Sequence, residues 1–127
     1  MNTPTELFYT ASDEWLRPES DGTITLGITD YAQGELGELV YVEVTPVGER
    51  VAAGGSFGVV ESVKAVGELH SPIAGEVVSA NAEVVDSSGL VNESPYENGW
   101  LVRLKPDQPL DTSQLMDAAA YAAYRAL

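Results

Sequence analysis

The chain has no cysteine, which excludes disulfides and thiolate metal sites, so any sulfur redox chemistry has to come from a bound cofactor. A single histidine, His70, rules out a His-rich metal centre. Basic residues are scarce, at 6 Lys and Arg against 20 Asp and Glu, for a net charge of −14. Such a surface repels phosphate backbones and anionic lipid, which argues against nucleic-acid and membrane partners. The acidity either keeps the protein in solution or steers it toward basic docking surfaces, and charge alone does not separate the two. No apolar run approaches the ~20 residues that span a bilayer. The opening "MNTPTELFYTASDEW" has no basic region followed by an apolar stretch, and no arginine before Arg17. It reads as neither a secretory signal nor a transit peptide, and the expected location is the cytoplasm, of bacterial type.

What is present is a β-rich pattern. At 127 residues, with no low-complexity linker and no shift in composition, the chain reads as one domain over 1–127. The expected core covers about 7–110 and a C-terminal helix about 112–126. The apolar period is mostly two. "GTITLGI" sets Ile24, Leu26 and Ile28 against Thr23, Thr25 and Gly27, and "ELVYVEV" sets Val40, Val42 and Val44 against Leu39, Tyr41 and Glu43. "GEVVSAN" and "WLVRLKP" continue in this style, with Gly, Pro, Asn and Ser turns between the runs, as in a sandwich or barrel. "PVGERVAAGGSFGVVES" and "SPIAGEVVSANAEV" look like two related pieces. "TDYAQGELG" suits a short helix capped at Thr29 or Asp30 and ended by Gly37. In "DTSQLMDAAAYAAYRAL", Asp111 and Gln114 form a capping box, and Leu115, Ala119, Ala122 and Ala126 form a stripe for packing on the sheet.

One of only two lysines, Lys64, falls at the tip of a hairpin in "FGVVESVKAVGELHSP"; the other is Lys105. A solvated lysine on a turn is the ordinary reading. Scarcity argues against it, as do the apolar neighbours Val63, Ala65 and Val66, which suit a surface read by another protein. Glu61 and Glu68 flank the tip and are placed to pair with the ammonium, although exposed pairs contribute only ~0–1 kcal/mol. A lysine meant for acylation needs a rigid turn and a free stem. Acylation would remove one positive charge, taking the net charge to about −15.

The segment "GVVESVKAVGELHSPIAGEVVSAN" resembles the lipoyl-attachment segment of the glycine cleavage system H proteins. "SDEWLR", "GTITLGITDYAQGELGELVYVEVTPVG" and "LVNESPYENGWLVRLKP" resemble the same family in the same order, from about Leu7 to Tyr124. The resemblance implies a mainly β, lipoyl-domain-like barrel-sandwich hybrid with a short internal helix and a C-terminal helix. It implies a carrier rather than an enzyme, with lipoic acid in amide linkage on Lys64. The carrier would take an aminomethyl group from a pyridoxal-phosphate glycine decarboxylase (P protein) and present it to a tetrahydrofolate-dependent aminomethyltransferase (T protein). Reoxidation would fall to dihydrolipoamide dehydrogenase (L protein), and a lipoate-attaching enzyme would load Lys64. Glu61, Val63 and Ala65 are the partner-recognition candidates.

In the family the loaded arm folds into a surface cleft. The positions that carry over are Ser12, Glu14 and Glu68, whose oxygens would stabilise a cationic amine. The sequence departs from the family at Asp13 and Glu35, where His occurs, and at Gly67, where Ser is frequent. "SSGLVNESPY" lacks the family's frequent Pro and Asp. His70 reads as a surface or strand residue. Alternatives are an H-like protein acting as a lipoate relay or scaffold, a biotinyl domain, and a lipoyl domain of a 2-oxo acid dehydrogenase. Biotinyl domains carry methionines beside the lysine, where Val63 and Ala65 stand here, and 2-oxo acid dehydrogenase lipoyl domains carry a flexible linker. A carboxylate-pair hydrolase would need two acids facing one cleft.

Overall fold

The structure is a computed structural model and describes residues 2–127. Among the described residues, nine strands form two sheets. The larger contains β1 (Phe8–Tyr9), β2 (Glu14–Pro18), β3 (Ile24–Ile28), β5 (Arg50–Val51), β8 (Gly75–Ala80) and β9 (Val102–Pro106), in the order β1-β2-β3-β9-β8-β5. The smaller contains β4 (Leu39–Val44), β6 (Ser56–Ser62) and β7 (Val66–His70), in the order β4-β6-β7. The two related sequence pieces thus end in different sheets, with β6 in one and β8 in the other. Leu26, Ile28, Val42, Phe57, Val60, Val77, Val102 and Leu104 are all buried in one apolar cluster between the sheets. This is the expected mainly β architecture.

β3 is buried on both faces, where a two-residue period alone exposes one. The second face is covered because Trp15, paired across from Gly27, lays its indole over that glycine, and because Thr25 is taken up by Glu19 and Arg103. β4 departs from the expected alternation. Leu39 and Val42 are buried while Val40 is exposed, because a bulge between Leu39 and Tyr41 shifts the pleat by one residue.

Helix α1 (Asp30–Leu36) forms where expected. The Thr29 hydroxyl accepts from the Ala32 N–H, and Gly37, at φ 83°, ends the helix in a conformation that suits glycine. Two short helices were not foreseen: α2 (Ala82–Asp86), capped by Asn81, and α3 (Gly89–Glu93).

The C-terminal segment is a correction. Asp111 caps only a 3-10 turn over Thr112–Gln114, accepting from Ser113 rather than boxing with Gln114. Met116 then pairs with Tyr9 as an isolated bridge, and helix α4 (Ala118–Arg125) begins after Asp117, whose carboxylate accepts from the Ala120 N–H. The buried residues of α4 are Ala118 and Tyr121, not the Leu115–Ala119–Ala122–Ala126 stripe. The Tyr121 ring stacks on Tyr9 at 4.7 Å within a second cluster that includes Leu7, Trp15 and Tyr96. No described helix is long and apolar enough to cross a membrane.

Candidate functional site

The β6–β7 hairpin turns through Val63 and Lys64. Ser62 closes it, donating its N–H to the Ala65 carbonyl at 2.8 Å and accepting the Ala65 N–H on its hydroxyl at 3.1 Å. The turn is thereby fixed from both sides while Lys64 stays exposed and Val63 is 91% exposed. Ala65 is half-buried. Glu61 is half-buried too, opposite Tyr41 on β4 and Val66 on β7. The expected pairing of the ammonium with Glu61 or Glu68 is not formed: no described ion pair includes Lys64. The stem leans the other way, over the end of α1, where a Cβ at Gly37 would lie 3.5 Å from Lys64 Cε.

That resting place is held from below by a residue the sequence reading passed over. Asn92 on α3 donates to the Gly37 carbonyl at 2.9 Å and to the Gln33 side chain at 3.0 Å, and its oxygen accepts the Leu39 N–H at 2.9 Å. One amide therefore joins the end of α1 to the start of β4.

Beside the hairpin a cleft of about 350 Å³ runs between the β1–β2 turn, α1 and the edge strand β7. Ser12 and Glu68 both line it, with Tyr31, Glu35, Leu36 and Gly67. The absence of a side chain at Gly67 leaves this wall open, since a Cβ there would come 3.3 Å from Val60 and 3.8 Å from Leu36. Glu14 is placed differently: it is only 1% exposed and lies behind Ser12. Its Oε1 accepts the Thr10 and Ser12 hydroxyls, each at 2.6 Å, and its Oε2 accepts the His70 N–H at 3.3 Å. Three donors satisfy a carboxyl group that has no described basic partner within ion-pair reach. The carboxyl group thus stands behind the cleft wall, where it fixes the Ser12 hydroxyl, and does not itself line the cleft. Thr10 was missed in the sequence, although its place four residues before Glu14 in a tight turn is a usable signal. The His70 imidazole faces outward to the Gly54 carbonyl at 3.2 Å, as a surface residue should.

Asp13, one of the departures from the family pattern, joins the turn to the C-terminal helix. It sits at φ 75° and receives Tyr121 Oη at 2.7 Å and Arg125 at 2.9 and 2.6 Å. Since the Tyr121 proton is committed to Asp13, the Thr29 hydroxyl at 2.7 Å donates to the Tyr121 oxygen. Arg125 also lines the cleft. Its pKa is pushed further up, chiefly by the hydrogen bonds to Asp13. No group of His, Asp and Glu among the described residues is arranged to hold a metal ion.

The whole chain, and not only the hairpin, has relatives. The family model described as "Glycine cleavage H-protein" matches residues 7–126. A glycine cleavage system H protein of Paraburkholderia phymatum is 48% identical over 121 residues, covering 95% of each chain. One from Opitutus terrae is 49% identical over 120 residues, covering 94% of each. The crystal structure of a glycine cleavage system H protein from Mycobacterium marinum superposes with a TM-score of 0.88 at 38% identity, covering 98% of this chain and 99% of that one. Matching over this length, with the lysine hairpin and the adjoining cleft part of one fold, shows that the chain belongs to the glycine cleavage H-protein family, the lipoyl carriers of the glycine cleavage system.

Proposed function

We propose that Lys64 is the attachment point of lipoic acid and that the cleft beside it is where the loaded arm rests. The observation that carries this is the hairpin itself, a two-residue turn tied at both ends by Ser62 that projects a lysine with no ionic partner among the described residues. The residues fit the group, since an amide needs a reachable, uncommitted amine and a neighbouring space for a long arm. Lipoic acid would supply the reactive sulfurs that a chain without cysteine lacks.

The chain's own contribution is to hold and to shelter. Ser62 and Ala65 fix the direction of the Lys64 stem. Leu36, Gly67 and Leu69 give the cleft an apolar wall, while Ser12 and Glu68 offer oxygens to a cationic cargo and Glu14, behind Ser12, fixes its hydroxyl. Glu68, on the exposed edge strand β7, also lines the cleft. Within this reading the protein does no chemistry of its own. It moves an aminomethyl group from the glycine decarboxylase to the aminomethyltransferase and is reoxidised by dihydrolipoamide dehydrogenase, in the cytoplasm of a bacterial cell. Glu61, Val63 and Ala65 form the part of the hairpin that the lipoate-attaching enzyme and these partners would meet. The test is the intact mass after incubation with a lipoate-attaching enzyme, lipoate and ATP. One lipoyl increment is expected; an unchanged mass contradicts the reading.

A further inference from the structure

We propose that Asp13 and Arg125 are positioning residues for the cleft, through which the last turn of α4 clamps the β1–β2 turn that presents Ser12 and Glu14. The inference rests on the cleft reading above but concerns residues to which that reading gives no part. All the contacts of the clamp converge on one short stretch of chain. Arg125 donates from Nε to Asp13 Oδ1 at 2.9 Å and from Nη2 to Oδ2 at 2.6 Å, a two-point contact that fixes orientation as well as distance. The same Nη2 reaches the Ala11 carbonyl at 3.2 Å, which the Tyr124 hydroxyl also meets at 3.2 Å. Tyr121 Oη adds its bond to Asp13 at 2.7 Å. The guanidinium is flanked by the rings of Tyr31 and Tyr124, at 4.6 and 4.7 Å from their centroids.

What is clamped is not a free loop. Asp13 holds a positive φ of 75°, which aspartate tolerates better than most residues but still needs support to keep. On one side of it Thr10 and Ser12 deliver their hydroxyls to Glu14 Oε1. On the other its own carbonyl accepts the Thr29 N–H at 3.0 Å, at the start of α1. The pair therefore joins three walls: the turn, α1 through Thr29 and Tyr31, and α4. The Asp13 and Arg125 side chains are 15% and 25% exposed, so the contact is partly shielded from solvent competition. If the clamp opens, the turn is free to relax from its positive φ, and the hydroxyls lose their aim at Glu14.

The test uses Arg125→Ala, Arg125→Lys and Asp13→Asn, and starts with the unlipoylated protein. None of the substitutions removes Tyr121 or Tyr9, whose rings stack at 4.7 Å and pack α4 against β1. Amide hydrogen exchange is followed at the Glu14 N–H, which donates to Thr10, and at the His70 N–H, which donates to Glu14. Arg125→Ala is expected to lower protection at these two amides about 10-fold, an effect of the size of one lost charge-assisted hydrogen bond, with β3 and β9 amides unchanged. Arg125→Lys, which keeps the charge but not the two-point geometry, should fall roughly 3-fold, between wild type and Arg125→Ala. Unchanged protection at Glu14 and His70, or an equal fall throughout the protein, overturns the proposal.

A second arm uses lipoylated protein loaded with the aminomethyl group. Loss of that group takes up one water, breaks the carbon–sulfur and carbon–nitrogen bonds, and releases formaldehyde and ammonium while returning the sulfur to a thiol. Arg125→Ala should speed formaldehyde release about 10-fold, matching the exchange result through the same free energy. A wild-type rate in a variant with lowered protection also overturns the proposal. Failure of lipoate to attach at all counts against the carrier reading, and leaves the exchange measurement to decide the clamp.

Discussion

Gly27→Ala tests how the cleft walls are held. Gly27 pairs with Trp15 across β2 and β3, and the indole lies against the glycine so closely that a Cβ would sit 2.6 Å from its Cε2, Cζ2 and Nε1 atoms. Comfortable carbon contacts begin near ~3.5 Å, so the indole has to move by about 1 Å. It has nowhere to go: Trp15 is fully buried, its ring 6.0 Å from Tyr96, and Nε1 donates to the Pro95 carbonyl at 3.0 Å. Overpacking costs ~1–3 kcal/mol, and a buried indole N–H without its acceptor costs ~1–3 kcal/mol more. The expected loss is therefore about 2–6 kcal/mol, a large part of the ~5–15 kcal/mol that holds a domain of this kind. The strands involved lead into Glu14 on one side and the Thr29 cap of α1 on the other, so the site should loosen with them. Urea denaturation gives the magnitude, and the same substitution in a Trp15→Leu background isolates the cause. There the penalty of Gly27→Ala should shrink by at least about 1 kcal/mol, as expected for residues in contact. A loss below ~1 kcal/mol in the wild-type background, within the ordinary range for a single substitution, or an undiminished penalty without the indole, refutes the argument.

Three further outcomes follow from other parts of the molecule. Lys64→Arg should leave stability within ~0.5 kcal/mol of wild type, as for most exposed substitutions, and abolish lipoate attachment; a large drop in Tm would show the lysine to be structural. Burial pushes Tyr96 up to about 12 and raises Tyr9 and Tyr121 further, so the fold keeps these phenols neutral. The Tyr96 contribution is complete below the unfolded tyrosine value of ~10 and is lost as pH rises through about 12, with Tyr9 and Tyr121 following at higher pH, so stability should fall over that window; a flat alkaline profile would contradict it. With a net charge of −14, the apparent KM of the decarboxylase for this carrier should rise between ~0.1 and 1 M salt, and Glu61→Gln with Glu68→Gln should shift it in the same direction. If neither does, the acidity does not steer.

The features legible in the sequence were those fixed by nearby residues. The hairpin tip follows from two β runs with a short gap at Lys64, and α1 follows from a Thr29 cap and a Gly37 stop, both within one turn of the helix they bound. Where two local signals compete, the reading failed. Asp111 and Asp117 both look like caps, and the pairing of Met116 with Tyr9 draws the intervening chain out of helix and gives the cap to Asp117. The bulge after Leu39 is invisible to a two-residue period, because that period assumes a regular pleat. Ser12 and Glu68 line one cleft, and the burial of Glu14 behind them has no local signal. A carboxylate reads as surface until its three donors are found, and one of these, His70, is 56 residues away. The Asp13–Arg125 contact spans 112 residues and leaves no local trace.

The central claim is that one particular lysine carries the cofactor. Peptide mapping after incubation with a lipoate-attaching enzyme tests it most directly, because the chain offers only two lysines, Lys64 on the hairpin turn and Lys105 within β9. The account predicts the lipoyl increment on the peptide containing Lys64 and none on that containing Lys105. Modification of Lys105 alone, or of neither, would contradict it.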